Sequence, residues 1–151
     1  MDLQEYKKIV EMAIGEEVAA SIFYQEASEK VEDDYLKKMF AELAEEERGH
    51  KRILEKILNS DSIQRYFTES MDFKVSETVE APELSTQMKP ADAIALAMKK
   101  EEEAMYMYQD MADACDDPET KRTFEDLANM ERNHKRKMEA AFVDVGYPEV
   151  W

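Results

Sequence analysis

An all-α fold is predicted: an antiparallel four-helix bundle built from two helical hairpins joined by one long crossover. Three observations predict it. Only three glycines and four prolines occur in 151 residues, and the chain is dominated by Ala, Glu, Lys, Leu and Met, residues of low helical cost. Apolar positions recur at alternating spacings of three and four, the period of a helix with one buried face. Finally, the chain matches itself without a gap at an offset of 84. Ala13 falls on Ala97, Glu17 on Glu101, Ala20 on Ala104, Tyr24-Gln25 on Tyr108-Gln109, Phe40 on Phe124, Leu43-Ala44 on Leu127-Ala128, Glu47-Arg48 on Glu131-Arg132, and His50-Lys51-Arg52 on His134-Lys135-Arg136. Each half therefore reads as one hairpin.

The first helix is expected from about Leu3 to about Lys30. Asp33 is a candidate N-cap for the second, which runs to about Asn59. The third begins near Pro90. The fourth takes Asp117 as its cap and Pro118 as its first residue, where a missing N–H costs nothing, and ends before Gly146. The links inside each hairpin are short, so paired helices must be antiparallel neighbours. The segment from about Ser60 to Lys89 carries Ser, Thr, Asp and Pro82, with Ile63, Tyr66 and Phe67 as candidate anchors. It is long enough to run back along the bundle, and compact domains rarely hold such a loop without purpose. The whole chain, 1–151, is expected to form a single domain.

Charge and cysteine usage narrow the function. With 36 acidic and 20 basic residues the net charge is −16. No basic stripe is available for phosphates, so neither nucleic acid nor an anionic membrane is an expected partner. Cys115 is the single cysteine, which excludes an internal disulfide and any cysteine-held zinc or iron–sulfur centre. The opening residues Met1-Asp2-Leu3-Gln4-Glu5 lack a secretory pattern, and no run approaches a membrane span, so the expected location is the cytoplasm.

The apolar seams hold polar residues at mid-bundle. The second helix reads Leu36, Phe40, Leu43, Glu47, His50, Leu54, Ile57, and the fourth reads Thr120, Phe124, Leu127, Glu131, His134, Met138, Ala141. The first reads Leu3, Tyr6, Val10, Ala13, Glu17, Ala20, Tyr24, Ala27, Val31, and the third Ile94, Ala97, Glu101, Ala104, Tyr108, Met111, Cys115. Four carboxylates and the chain's only two histidines thus point inward. An uncompensated buried carboxylate costs several kcal/mol, and like charges clustered together cost more. No Lys or Arg lies in the seams at this level, so two divalent metal ions are the natural counter-charge. Iron or manganese accepts such ligands, and zinc is also possible. Ala20 and Ala104 leave room for a small ligand such as oxygen or peroxide.

A Glu from each of two helices with Glu-x-x-His from each of the others is the di-iron carboxylate pattern. On these residues nearly the whole chain resembles the rubrerythrin branch of the ferritin-like superfamily. The resemblance implies a ferritin-like crossover bundle with two iron ions. Glu17 and Glu101 would be terminal ligands, Glu47 and Glu131 bridging ligands, and His50 and His134 one ligand to each metal. Tyr24 and Tyr108 resemble the tyrosines that back the ligands in that branch. Two departures stand out. No four-cysteine rubredoxin domain lies within these residues, and Ala104 occupies the position where rubrerythrins carry an additional Glu.

The function implied is reduction of hydrogen peroxide, or of oxygen, in an oxidative-stress role, with electrons from a separate donor such as rubredoxin or a flavoprotein. A homodimer or larger homo-oligomer is expected. The alternatives are ferroxidase activity coupled to iron storage and a non-catalytic bundle held by its metal. Glu16, Glu45, Glu46, Glu102 and Glu103 are expected on solvated faces, Cys115 in packing, and Tyr147 and Trp151 as anchors of the tail.

Overall fold

A computed structural model describes residues 3–59, 85–87 and 90–142. The expected crossover over 60–89, with Ile63, Tyr66 and Phe67, lies outside the described residues except for 85–87. Tyr147, Trp151 and the side chains of Leu3 and Tyr6 also lie outside them. Four helices are present: α1 (Leu3–Lys30), α2 (Asp34–Leu58), α3 (Pro90–Ala114) and α4 (Pro118–Phe142). The boundaries follow the local signals. Asp33 caps α2, its Oδ1 accepting from the Leu36 N–H at 2.9 Å. Asp117 caps α4, its Oδ2 accepting from the Thr120 N–H at 2.9 Å and the Thr120 hydroxyl at 2.8 Å.

The hairpin turns share a second device. Lys37 donates to the Ser28 carbonyl at 3.2 Å, and Lys121 donates to the Ala112 carbonyl at 3.3 Å. Each lysine sits four residues after its capping Asp and satisfies a carbonyl at the end of the preceding helix, where a cation is favoured. The repeat in sequence is therefore a repeat of the turn itself.

α1 packs along α2, and α3 along α4. Two apolar clusters fill the ends of the bundle. One joins Val10 and Ala13 of α1, Leu54 of α2, Tyr108 and Met111 of α3, and Phe124 and Leu127 of α4. The other joins Tyr24 and Ala27, Phe40 and Leu43, Ile94 and Ala97, and Met138. Each fully buried Leu or Phe contributes roughly 1.5–3 kcal/mol. The start of α1 thus shares an end with the finish of α2, the finish of α3 and the start of α4. It follows that α2 stops at one end and α3 begins at the other, the relation a crossover connection requires. Thr86 is buried against the far end of α1, its hydroxyl donating to Glu26 Oε2 at 3.2 Å.

Candidate metal centre

Between the apolar clusters lies one polar layer. Glu17, Glu47, His50, Glu101, Glu131 and His134 are all at most 3% exposed. Each helix delivers its member by the same arithmetic: the seam advances by three or four residues, so a Glu or His set in it keeps facing the axis. The structure brings all six predicted residues together. They form two overlapping groups, Glu17–Glu47–His50–Glu131 and Glu47–Glu101–Glu131–His134, and within each the ligand atoms lie within 4.8 Å of one another. Glu47 and Glu131 belong to both.

The closest carboxylate contact of each inner nitrogen crosses between the hairpins. His50 Nδ1 stands 2.6 Å from Glu131 Oε1 and 3.5 Å from Glu17 Oε2. His134 Nδ1 stands 2.6 Å from Glu47 Oε1 and 3.6 Å from Glu101 Oε2. The two imidazoles are nearly parallel, 7° between planes with centroids 5.7 Å apart. Tyr24 of α1 donates to Glu101 Oε1 of α3 at 2.5 Å, and Tyr108 of α3 donates to Glu17 Oε1 of α1. Each tyrosine occupies one oxygen of the Glu101 or Glu17 carboxylate and leaves the other facing the polar layer.

Those inward oxygens are orphaned. Glu17 Oε2, Glu101 Oε2, Glu47 Oε1 and His134 Nδ1 are buried and have no hydrogen-bond partner among the described residues. His134 Nδ1 and Glu47 Oε1 are 2.6 Å apart without the direction of a hydrogen bond. Buried polar atoms are normally satisfied. Four that are not, aimed together, fit a cation between them, and the oxygen-rich set with two imidazoles suits iron or manganese.

The titration behaviour records the same strain. Burial, then the charge of Glu101, pushes the carboxyls of Glu47 and Glu131 well above the usual range. For Glu17 burial also pushes upward, but neighbouring Glu47 and His50 outweigh it and hold the group low. Burial works to lower His134, and the Glu101 and Glu46 carboxylates override it, raising the imidazole to about 10. Burial and the adjacent carboxylates push Tyr24 and Tyr108 well up, so both remain protonated donors.

A cavity of about 30 Å³ opens between α1 and α3 onto Glu17, Glu47, Glu101 and Glu131, walled by Ala20, Ala97 and Ala104. That is room for about two water-sized groups. An ion pair from Lys100 to Glu16, 3.5 Å long, stands at its rim.

Of the glutamates expected on solvated faces, Glu45 pairs with Arg48 and Arg52, Glu102 with Lys135, and Glu103 is exposed. Glu46 departs from that expectation. It is half-buried, and its Oε2 lies 2.5 Å from His134 Nε2. The repeat carries a signal for it: at an offset of 84 Glu46 falls on Met130, the one mismatch immediately beside a matched Glu-x-x-His. Cys115 is buried, and burial raises its thiol, consistent with packing.

The Rubrerythrin family model matches residues 8–142. No curated protein matches the chain. Among solved structures, a hypothetical protein from Pyrococcus furiosus is 28% identical, with a TM-score of 0.68 over 93% of this chain and 90% of its own. A protein from Thermotoga maritima, provisionally described as a ferritin-like diiron-carboxylate protein, is 23% identical, with a TM-score of 0.65 over 87% of this chain and 90% of its own. At that identity the Thermotoga protein speaks for the fold.

Proposed function

Because this chain belongs to the rubrerythrin family, we propose that it is a di-iron oxidoreductase that reduces hydrogen peroxide with electrons from a separate donor. The observation that carries the reading is the pair of four-residue groups sharing Glu47 and Glu131. Glu17 and His50 would hold one ion and Glu101 and His134 the other, with Glu47 and Glu131 between them. Two ferrous ions held there would supply the two electrons that, with two protons, convert one hydrogen peroxide to two waters.

The remaining work belongs to the chain. Tyr24 and Tyr108 hold the terminal carboxylates in place and keep their phenolic protons at neutral pH. Ala20, Ala97 and Ala104 shape a small cavity that would admit a small oxidant. Electrons would come from a separate donor, a rubredoxin or a flavoprotein. The second reading, oxidation of ferrous iron as substrate by oxygen, is favoured by Ala104, which offers no ligand atom, so that among the described residues the metal-ligating groups comprise the same six side chains.

Stopped-flow mixing of the anaerobic ferrous protein with each oxidant separates the two. Faster oxidation by peroxide than by oxygen, with turnover only on adding a donor, supports the peroxidase. Faster oxidation by oxygen, with added iron laid down as mineral, replaces it with the ferroxidase.

A further inference from the structure

The six inward residues and the two tyrosines recur in both halves of the centre, but the outer nitrogens of the histidines meet different side chains. Each imidazole turns Nδ1 toward the carboxylates, which leaves Nε2 facing away. His134 Nε2 meets Glu46 Oε2 at 2.5 Å. His50 Nε2 meets Met130 Sδ at 3.4 Å. Glu46 and Met130 are equivalent positions of the repeat, one residue before Glu47 and Glu131. Each reaches across from the opposite hairpin, so the backbone offers the same placement twice and the side chains answer differently.

The difference has a chemical consequence. An imidazole that ligates through Nδ1 is neutral and carries its proton on Nε2. A carboxylate accepting that N–H forms a charge-assisted hydrogen bond, fixes the tautomer and the ring, and makes Nδ1 a stronger donor to a metal. A thioether is a weak acceptor and does little of this. The other oxygen of Glu46 lies 3.9 Å from Lys137 Nζ, a loose contact that leaves Oε2 to the imidazole.

We propose that the two metal pockets are unequal: the pocket of His134 holds its ion more tightly than the pocket of His50, and Glu46 is the positioning residue that makes it so. This rests on the two-metal reading above. The Glu46 side chain is 35% exposed, so solvent weakens its pull, and the expected difference is roughly tenfold, the low end of what such supporting contacts provide.

Metal release tests it. Protein loaded with two ferrous ions is mixed anaerobically with excess chromogenic ferrous chelator, and the coloured complex is followed in time. Two phases of equal amplitude are expected, about tenfold apart in rate. Glu46→Met should accelerate the slow phase until the two merge, and Glu46→Gln, which keeps an acceptor oxygen, should do so only in part. Met130→Glu should slow the fast phase and leave the other unchanged, which tests the idea even if Glu46 variants fold poorly. Two ions leaving the unaltered protein in one phase, or Glu46→Met accelerating both phases alike, overturns the inequality and leaves the two-metal reading standing. Release of fewer than two ions from the loaded protein overturns both.

Discussion

The pocket around His50 and the pocket around His134 are made from the same hairpin used twice, yet neither hairpin contains a complete pocket. Each supplies one Glu from its first helix and one His from its second to its own side, then sends a Glu, a Tyr and a backing residue across to the other. The apolar ends of the bundle hold the halves together by bulk. The polar layer fixes their register, because a slip between hairpins would break contacts to both histidines and both tyrosines at once. The backing residue differs, carboxylate in one case and thioether in the other, and the Tyr24 hydroxyl also reaches Met138 Sδ at 3.3 Å where the matching position of the other half is Leu54. A repeated motif can therefore keep its geometry while its two copies acquire different chemistry one residue away from Glu47 and Glu131.

The largest effect expected is on the shared residues. Glu47→Ala or Glu131→Ala removes a side chain common to both groups, so bound metal, read by elemental analysis, should fall from about two ions per chain to less than one. Glu17→Ala should empty the His50 side alone and retain about one ion. Equal loss from Glu17→Ala and Glu131→Ala would mean that the pockets are not separate units.

Metal removal comes next, and its pH dependence has a sign. Without metal, Glu47 and Glu131 hold their protons far above the unfolded value of 4.5. Their contribution to stability is present below that pH and is lost as pH rises toward their folded values. His134, raised from 6.5 to about 10, adds stability below 6.5 and loses it as pH rises toward 10. Glu17 acts oppositely, its contribution present above 4.5 and lost below. The balance makes the metal-free protein weaker at pH 7 than at pH 5, while the metal-bound form needs its ligands deprotonated. Chelation should lower Tm by roughly 10 °C at pH 7, corresponding to several kcal/mol, and by clearly less at pH 5. Equal shifts at both values would contradict the buried, uncompensated carboxylates.

The smallest effect sharpens the symmetric part. Tyr24→Phe and Tyr108→Phe each remove one hydrogen bond to a terminal carboxylate. Each should cost about 1–2 kcal/mol in denaturant unfolding, with metal retained. A large difference between the two variants would extend the asymmetry from the histidines to the tyrosines.

Much of this was legible before any coordinates. The capping Asp33 and Asp117 mark their helix starts by a local rule, and the seams place Glu17, Glu47, His50, Glu101, Glu131 and His134 inward because a single period governs each helix. Glu46 was not legible in the same way. It stands in a run of three glutamates, Glu45-Glu46-Glu47, off the apolar seam, and its partner is on the other hairpin. Helical period tells which glutamate faces the axis, but not which neighbour a half-buried one reaches across the bundle. The cavity between α1 and α3 is a tertiary feature of the same kind: Ala20 and Ala104 announce small volume, whereas Lys100 meeting Glu16 at the rim depends on how the hairpins lie together.

The claim on which the rest depends is that two ions sit between Glu47 and Glu131. Anomalous diffraction at the iron edge from crystals of the iron-loaded protein measures this directly. Two peaks are predicted in the polar layer, one beside His50 Nδ1 and one beside His134 Nδ1, both within bonding reach of Glu47 and Glu131. A single peak, or peaks away from these six side chains, would contradict the account.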